Sequence, residues 1–272
     1  AAQTAGEMLD IRGLGLAIIA PDVSPELARN TIAALSVLGS LQATDDVNLY
    51  TSAAKGNKPG GFFYGFFDAP VTAEDTNEAI ANGRAVIKEE KAWTYELGAK
   101  TQWLDRRLTA NVAVYYIDWT NQAVNEVQNV DWTCADTGLE NSVPNNFIRN
   151  AGESRVTGTE IELALAATDN LFLTLNYGLQ DTKLESYNSL VLATLVSEDP
   201  DVLASGVSVS GNEAPRVPKH TVTASAMYRR PLGGLGSDWF LRGDYVYNSK
   251  TWLEAENEAY VGDVTLVNAR LG

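Results

Sequence analysis

Apolar and polar residues alternate along most of this chain, and the pattern is clearest in residues 90–119. Because successive side chains on a β-strand point to opposite faces, this alternation predicts two amphipathic strands joined by a tight turn at 104–107. The apolar face of the first strand carries Trp93, Tyr95, Leu97 and Trp103. The opposite face carries Glu96 and Lys100. The length of this strand suits the roughly 9–11 residues with which a tilted strand crosses a bilayer.

The same alternation returns along the chain and predicts about eight or nine strands in all. The others are expected at 31–42, 47–54, 149–165, 171–179, 220–228, 239–247 and 264–271. The most regular apolar face carries Leu171, Leu173, Leu175 and Tyr177. Polar faces of other strands carry Glu160, Glu162, Arg242 and Asp244. Segment 31–42 is also compatible with a short helix, since alanine and leucine favour helices, but Gly39 and the β-branched Val37 weaken the helix.

The connections between these strands are alternately short and long. Short turns are predicted at 104–107, 166–170 and 231–238, and long acidic connections at 57–92, 118–148 and 182–215, with a shorter acidic loop at 251–262. In an antiparallel meander, alternate connections lie at the same end, and outer-membrane barrels have this asymmetry. We therefore predict an all-β fold, an antiparallel up-and-down transmembrane β-barrel. Its apolar face would contact lipid between aromatic girdles, and its polar face would line the lumen.

Composition argues against several other classes of protein. A net charge of −15 argues against nucleic acid as a partner, because such binding needs a basic surface. Apolar runs fall well short of the roughly 18 residues of a membrane helix. Cys134 is the single cysteine, which gives no disulfide or zinc framework. The first ten residues lack the basic start and apolar core of a signal peptide, and we expect a preceding segment to be missing.

Candidate chemistry is limited to ligand binding. No catalytic pattern is apparent, and we expect neither an enzyme nor a cofactor or resident metal. Glu160 and Glu162 are interpreted as solvated lumen residues, and His220 as structural. The acidic loop residues Glu254, Glu256 and Glu258 could meet a divalent cation, although loop carboxylates are usually just solvated. The residues expected to bind a ligand are Trp119, Asn121, Gln122 and Trp132, with girdle or loop packing as the alternative.

The segment Tyr50–Phe62, YTSAAKGNKPGGF, resembles the Tyr…Gly-x-Lys-x-Gly-Gly-Phe signature of TonB-dependent outer-membrane receptors. Similar segments follow in order at 95–122, 150–163, 215–228, 242–252 and 267–272, so that the resemblance covers about 45–272. It implies a barrel of about 22 strands with an N-terminal plug, in the outer membrane of a Gram-negative cell. Such a receptor imports a scarce ligand, such as a ferric siderophore or an oligosaccharide, with energy from the inner-membrane TonB complex.

These expectations divide the chain into two parts. Residues 1–44 would be a partial leading strand or loop, and residues 45–272 a barrel portion truncated at its C-terminus, with the plug domain absent. The expected partners are outer-membrane lipid, the TonB complex through the missing plug, and a small-molecule or oligosaccharide ligand. Two other hypotheses are a passive porin-like channel and a soluble all-β carbohydrate-binding module.

Overall fold

The computed structural model describes residues 9–19, 23, 32–44, 46–62, 86–133, 140–233 and 236–272. The strands are β1 Leu9–Ile18, β2 Ile32–Thr44, β3 Val47–Lys58, β4 Gly61–Phe62, β5 Val86–Ile87, β6 Glu90–Trp103, β7 Leu108–Thr133, β8 Glu140–Ala166, β9 Leu171–Ser189, β10 Val207–Ser208, β11 His220–Leu232, β12 Ser237–Asn248, β13 Thr251–Trp252, β14 Tyr260–Val261 and β15 Val264–Leu271. Two short helices, α1 Leu190–Val196 and α2 Pro200–Ser205, lie between β9 and β10. Among the described residues, helices are too short or too polar to cross a membrane.

Ten strands form the path of one sheet, in the order β1-β2-β3-β6-β7-β8-β9-β11-β12-β15. Neighbours are antiparallel except for β1 and β2, which run parallel. Within the described residues β1 and β15 do not pair with each other, so the sheet is an open portion of a barrel. This confirms the predicted fold class. The alternation pattern did not predict β1, because the glycines and charged residues of LDIRGLGLAI interrupt the alternation of apolar and polar residues. The division after residue 44 stays a prediction.

Several strands extend beyond the predicted limits at the end with the long connections. Residues 118–148 were expected to be a connection, and this was wrong: β7 continues to Thr133, and β8 begins opposite it at Glu140. Similarly, β9 continues to Ser189 within the connection expected from residue 182. The physical reason is that a ladder of backbone hydrogen bonds needs no apolar face, so polar strands remain paired beyond the amphipathic part.

The strand register keeps the apolar residues of neighbouring strands on one face. One row across the sheet joins Ala110, Leu163, Leu175, Ala224 and Tyr245. The residues predicted to contact lipid all lie on this face: Trp93, Tyr95, Leu97, Trp103, Leu171, Leu173, Leu175 and Tyr177. Leu97 remains 59% exposed, so the sheet leaves this apolar face uncovered there. We call this face the apolar belt; its contact with lipid stays a prediction.

The belt ends at a row of charged residues on the side of the long connections. Trp93 pairs with Asp118, which pairs with Arg155, which in turn pairs with Lys183. Asp181 lies just beyond the amphipathic part of β9, and one of its carboxylate oxygens is 2.7 Å from the Lys219 ammonium. The hydrogen bond from this ammonium lowers the pKa of Asp181. The change from apolar to charged residues marks one edge of the belt.

The opposite face carries polar and small residues. The residues predicted to face the lumen all lie on it: Glu96, Lys100, Glu160, Glu162, Arg242 and Asp244. Polar side chains bond across strands here, as where Asn111 Nδ2 donates to Glu162 Oε2 over 3.2 Å. The ring of Tyr115 lies against Gly158 of the neighbouring strand, where a Cβ would fit only if the far end of the ring moved. We call this the polar face; its contact with a lumen is likewise a prediction.

Candidate ligand-binding site at the loop end of the sheet

A cavity of about 570 Å³ lies at the end of the sheet that carries the long connections. Strands contribute Trp119 and Gln122 from β7 and Leu184 and Tyr187 from β9. The loops before β11 and after β13 contribute residues 214–217 and 253–256 to the wall. The lining is therefore aromatic and aliphatic at its base, and polar where the two loops meet.

Two β-bulges turn the strand residues toward this cavity. The register passes from Trp119 opposite Ser154 to Gln122 opposite Gly152, so between these two pairs β7 has one residue more than β8. The extra residue is accommodated near Asn121, whose φ is 57°. The bulge keeps Trp119 and Gln122 on the polar face, and a second bulge does the same for two residues of β9. The cavity consequently opens on the polar face and not on the apolar belt.

The structure places the four residues predicted to bind a ligand in different surroundings. Trp119 and Gln122 line the cavity. The side-chain amide of Asn121 donates to the Glu89 carbonyl over 3.3 Å, and the backbone carbonyl of Asn121 accepts from the Asn150 side-chain amide at 2.6 Å. Asn121 therefore holds the bulge. The backbone of Trp132 pairs with Asn141 on β8, and its side chain lies outside the described residues.

Two asparagines join the two loops that form the cavity wall. The sequence pattern did not predict a role for either of them. Asn212 Nδ2 donates to the carbonyls of Ala255 and Glu256, each over 3.0 Å. Asn257 Nδ2 donates to the Glu213 carbonyl at 3.0 Å, and its Oδ1 accepts from the Glu213 N–H at 2.9 Å. We call this set of bonds the Asn212–Asn257 clasp. The sequence gives little indication of this clasp, because asparagine is common in loops and the residues that it bonds here are distant in the sequence.

A small hydrophobic core packs against the loops that the clasp joins. Leu184, Tyr187 and Val209 are buried together. Ser189 accepts the Leu192 N–H at 2.9 Å, which caps α1, and donates its hydroxyl to Glu256. The loops therefore pack against the end of β9 as one unit.

Glu254 and His220, which the sequence also offered as candidates, make contacts within the protein. Glu254 Oε1 accepts the backbone N–H groups of Glu258 and Ala259 at 2.8 and 2.6 Å. Across the residues with a described position, no group of three or more potential metal ligands is present. His220 Nδ1 lies 2.9 Å from the Tyr177 hydroxyl, at the loop-side end of the belt. Cys134 lies outside the described residues.

An antiparallel sheet with an apolar belt, a polar face and a cavity among its long loops is typical of the barrel wall of an outer-membrane transport protein. The family model described as TonB dependent receptor-like, beta-barrel matches residues 33–272. The chain belongs to this family. A second model, for the Ribbon-Helix-Helix transcriptional regulator family, matches residues 1–48. Described residues of that range form β1, β2 and the start of β3.

Relatives and solved structures agree with this assignment. The probable TonB-dependent siderophore receptor PiuA of Acinetobacter baumannii is 26% identical over 190 residues, which are 70% of this chain and 21% of that protein. The ferric yersiniabactin uptake receptor FyuA of Yersinia pestis superimposes with a TM-score of 0.57 at 19% identity, over 84% of this chain and 28% of that one. The A. baumannii siderophore receptor PiuA gives a TM-score of 0.53 at 22% identity, over 85% of this chain and 28% of that one. These structures share the fold, and this chain spans only about a quarter of their length.

Proposed function

We propose that this chain forms part of the barrel wall and of the ligand-binding mouth of a TonB-dependent receptor in a Gram-negative outer membrane. The observation that carries the proposal is the cavity lined by Trp119 and Gln122, which opens on the polar face in a chain of this receptor family. The receptor would import a scarce ligand with energy from the inner-membrane TonB complex. The name of the A. baumannii relative favours a siderophore over an oligosaccharide.

The two faces of the sheet support a membrane location. The exposed apolar belt is suited to lipid, whereas the polar face with Glu96 and Glu160 is suited to a hydrated lumen or a plug. Within the described residues, the outer edges of β1 and β15 have no neighbouring strand, and each unpaired backbone group there would cost several kcal/mol in lipid. We therefore infer that further strands of the complete receptor close the barrel.

Uptake by cells that express the complete receptor tests this proposal. Cells lacking their own siderophore receptors would be supplied with radiolabelled ferric siderophores under iron limitation. We expect saturable uptake that disappears when TonB is deleted. Uptake that is independent of TonB and does not saturate would support the porin-like alternative, and a receptor that stays in the aqueous fraction after membrane separation would support the soluble module.

Substitution of Trp119 tests the cavity itself. Trp119→Ala removes an aromatic surface from the cavity, and we expect the ligand concentration for half-maximal uptake to rise about tenfold, equivalent to about 1.4 kcal/mol. The matched control is Trp103→Ala, which removes the same side chain from the apolar belt near the short turn. Equal effects of both substitutions on ligand affinity would contradict the assignment of this cavity as the ligand site.

A further inference from the structure

We propose that Arg216 makes the cavity selective for ligands that combine an anionic group with a flat apolar body, such as an aromatic carboxylate. The inference rests on the proposed ligand-binding function of the cavity and adds the chemical class of the ligand. It follows from the hydrogen bonds that the charged groups around the cavity make, from the position of Arg216, and from the side chains opposite Arg216.

Among the described residues that line the cavity, the charged ones are Arg216, Glu254 and Glu256. Both carboxylates already accept hydrogen bonds from the protein, Glu254 from two backbone N–H groups and Glu256 from the Ser189 hydroxyl. These bonds stabilise the two negative charges where they are. The carboxylates are consequently less available to a cationic ligand than their number suggests.

The Arg216 guanidinium differs from these two groups. Its backbone N–H donates to the Trp252 carbonyl over 2.7 Å, but within the described part of the chain the guanidinium has neither an ion pair nor a hydrogen bond. A guanidinium presents five N–H donors in a fixed plane and binds a carboxylate through two parallel hydrogen bonds. Arg216 is thus the charged group of the cavity wall with donors available for a ligand.

The backbone at Arg216 is held in an unusual conformation. Its φ is 63°, in the left-handed region that glycine and asparagine adopt more readily than arginine. Such a conformation persists where the surroundings impose it, and it is common at binding sites. Here the bond to Trp252 lies on one side, and the Asn212–Asn257 clasp lies just before it in the chain. The two joined loops therefore position Arg216 at the cavity.

The strand side of the cavity supplies an apolar surface. Trp119 and Tyr187 contribute aromatic rings, and Leu184 contributes an aliphatic side chain. A volume of about 570 Å³ falls within the range of small-molecule sites, which is roughly 300–1,000 Å³. Because the chain as a whole carries a charge of −15, an anion gains little from the general field and depends on a local cation. Arg216 provides that cation.

A pair of probes that differ only in charge tests the inference. Indole-3-carboxylate and the neutral indole-3-carboxamide would be titrated into the complete receptor in detergent, with saturation-transfer NMR as the readout. We expect the carboxylate to bind more tightly than the carboxamide. Arg216→Gln should weaken carboxylate binding at least about tenfold and leave carboxamide binding unchanged, because it removes the charge and the paired donors. Arg216→Lys should retain part of the preference, since it keeps the charge alone.

Arg106→Gln is the control, because it removes an exposed arginine at the opposite end of the sheet, where Arg106 Nε lies 3.4 Å from Asp46. This variant should bind both probes as the unchanged receptor does. Equal binding of the two probes, or an Arg216→Gln variant that retains the preference, would overturn the inference while leaving the cavity as a ligand site. Absence of binding of either probe would also overturn it. If Trp119→Ala in addition left uptake unchanged, the proposed function of the cavity would fail as well.

Discussion

At the residue scale, tyrosine rings cover glycines of the adjacent strand on the polar face. Tyr50 lies against Gly98, and Tyr115 lies against Gly158. Glycine weakens a strand by itself, because it has no side chain to pack, and an aromatic ring over it restores the contact. The sequence shows these glycines as small residues on a polar face. Their partners depend on the register, which pairs Tyr115 directly with Gly158.

Gly158→Ala should destabilise the barrel, because a Cβ at this position meets the far end of the Tyr115 ring and displaces it. We expect a loss of about 1–3 kcal/mol in the free energy of unfolding, as for other overpacked positions. The measurement is urea unfolding of the complete receptor in phospholipid vesicles. Gly56→Ala in β3 is the control, since the nearest atom to its Cβ would be the Ala92 carbonyl oxygen at 3.9 Å.

The same pair permits a double-mutant cycle. In a Tyr115→Ala background the obstructing ring is gone, and Gly158→Ala should then cost little beyond the loss of the tyrosine itself. If Gly158→Ala were as mild as Gly56→Ala, or equally costly with and without Tyr115, the contact between ring and glycine would not contribute to stability.

At the element scale, the two loops beside the cavity act through the Asn212–Asn257 clasp. Asn257 combines two contributions, since its side chain bonds both backbone groups of Glu213 and its φ is 59°. Asparagine tolerates this left-handed conformation better than most residues. Trp252 adds a further bond between the loops, from its indole N–H to Glu213 Oε2 over 3.0 Å. Opening one loop therefore requires release of the other.

A series of substitutions at Asn257 separates the two contributions. Asn257→Gly keeps the backbone conformation and removes the side-chain bonds, whereas Asn257→Ala removes the bonds and adds backbone strain of about 1–2 kcal/mol. We expect amide hydrogen exchange in residues 212–216 and 253–259 to accelerate in the glycine variant and further in the alanine variant. The amphipathic part of β9 should exchange unchanged in both. Faster exchange in only one loop would show that the clasp does not couple them.

At the scale of the whole molecule, strand register joins short alternations into two continuous faces. Leu175 lies in the apolar belt between Leu163 and Ala224, and its neighbour Asn176 lies on the polar face beside Glu162. In the proposed membrane orientation, lipid surrounds Leu175, whereas water or a plug contacts Asn176. Adjacent positions therefore have opposite environments.

Leu175→Arg should destabilise the receptor by about 2–4 kcal/mol, the cost of an arginine near the bilayer midplane. Asn176→Arg is the matched control, because the same side chain would then meet Glu162 on the polar face. Urea unfolding in phospholipid vesicles measures both, and the control should lose much less stability. Equal losses, or a larger loss for Asn176→Arg, would contradict the assignment of the apolar belt to lipid.

Local alternation was sufficient to predict nine of the ten strands in the main sheet and the faces of residues such as Leu175 and Glu162. It could not predict how far β7 and β8 extend, since their outer parts are paired by backbone groups without an apolar face. It also missed β1, where Gly13 and Gly15 interrupt the pattern. These errors share one cause: a strand is completed by its neighbour, and the neighbour is not visible in a local window.

For the candidate site, the alternation of side chains was enough to predict that Trp119 and Gln122 follow an amphipathic strand and enter a long polar segment. That much follows from side-chain type and period alone. Strand pairing and loop packing were needed to show that Asn121 supports a bulge and that Gln122 stays on the face of Trp119. They also bring Arg216, which lies 94 residues after Gln122, to the same cavity. The physical reason is that faces are set by local stereochemistry, whereas a cavity is formed by register shifts and by hydrogen bonds between residues distant in the chain.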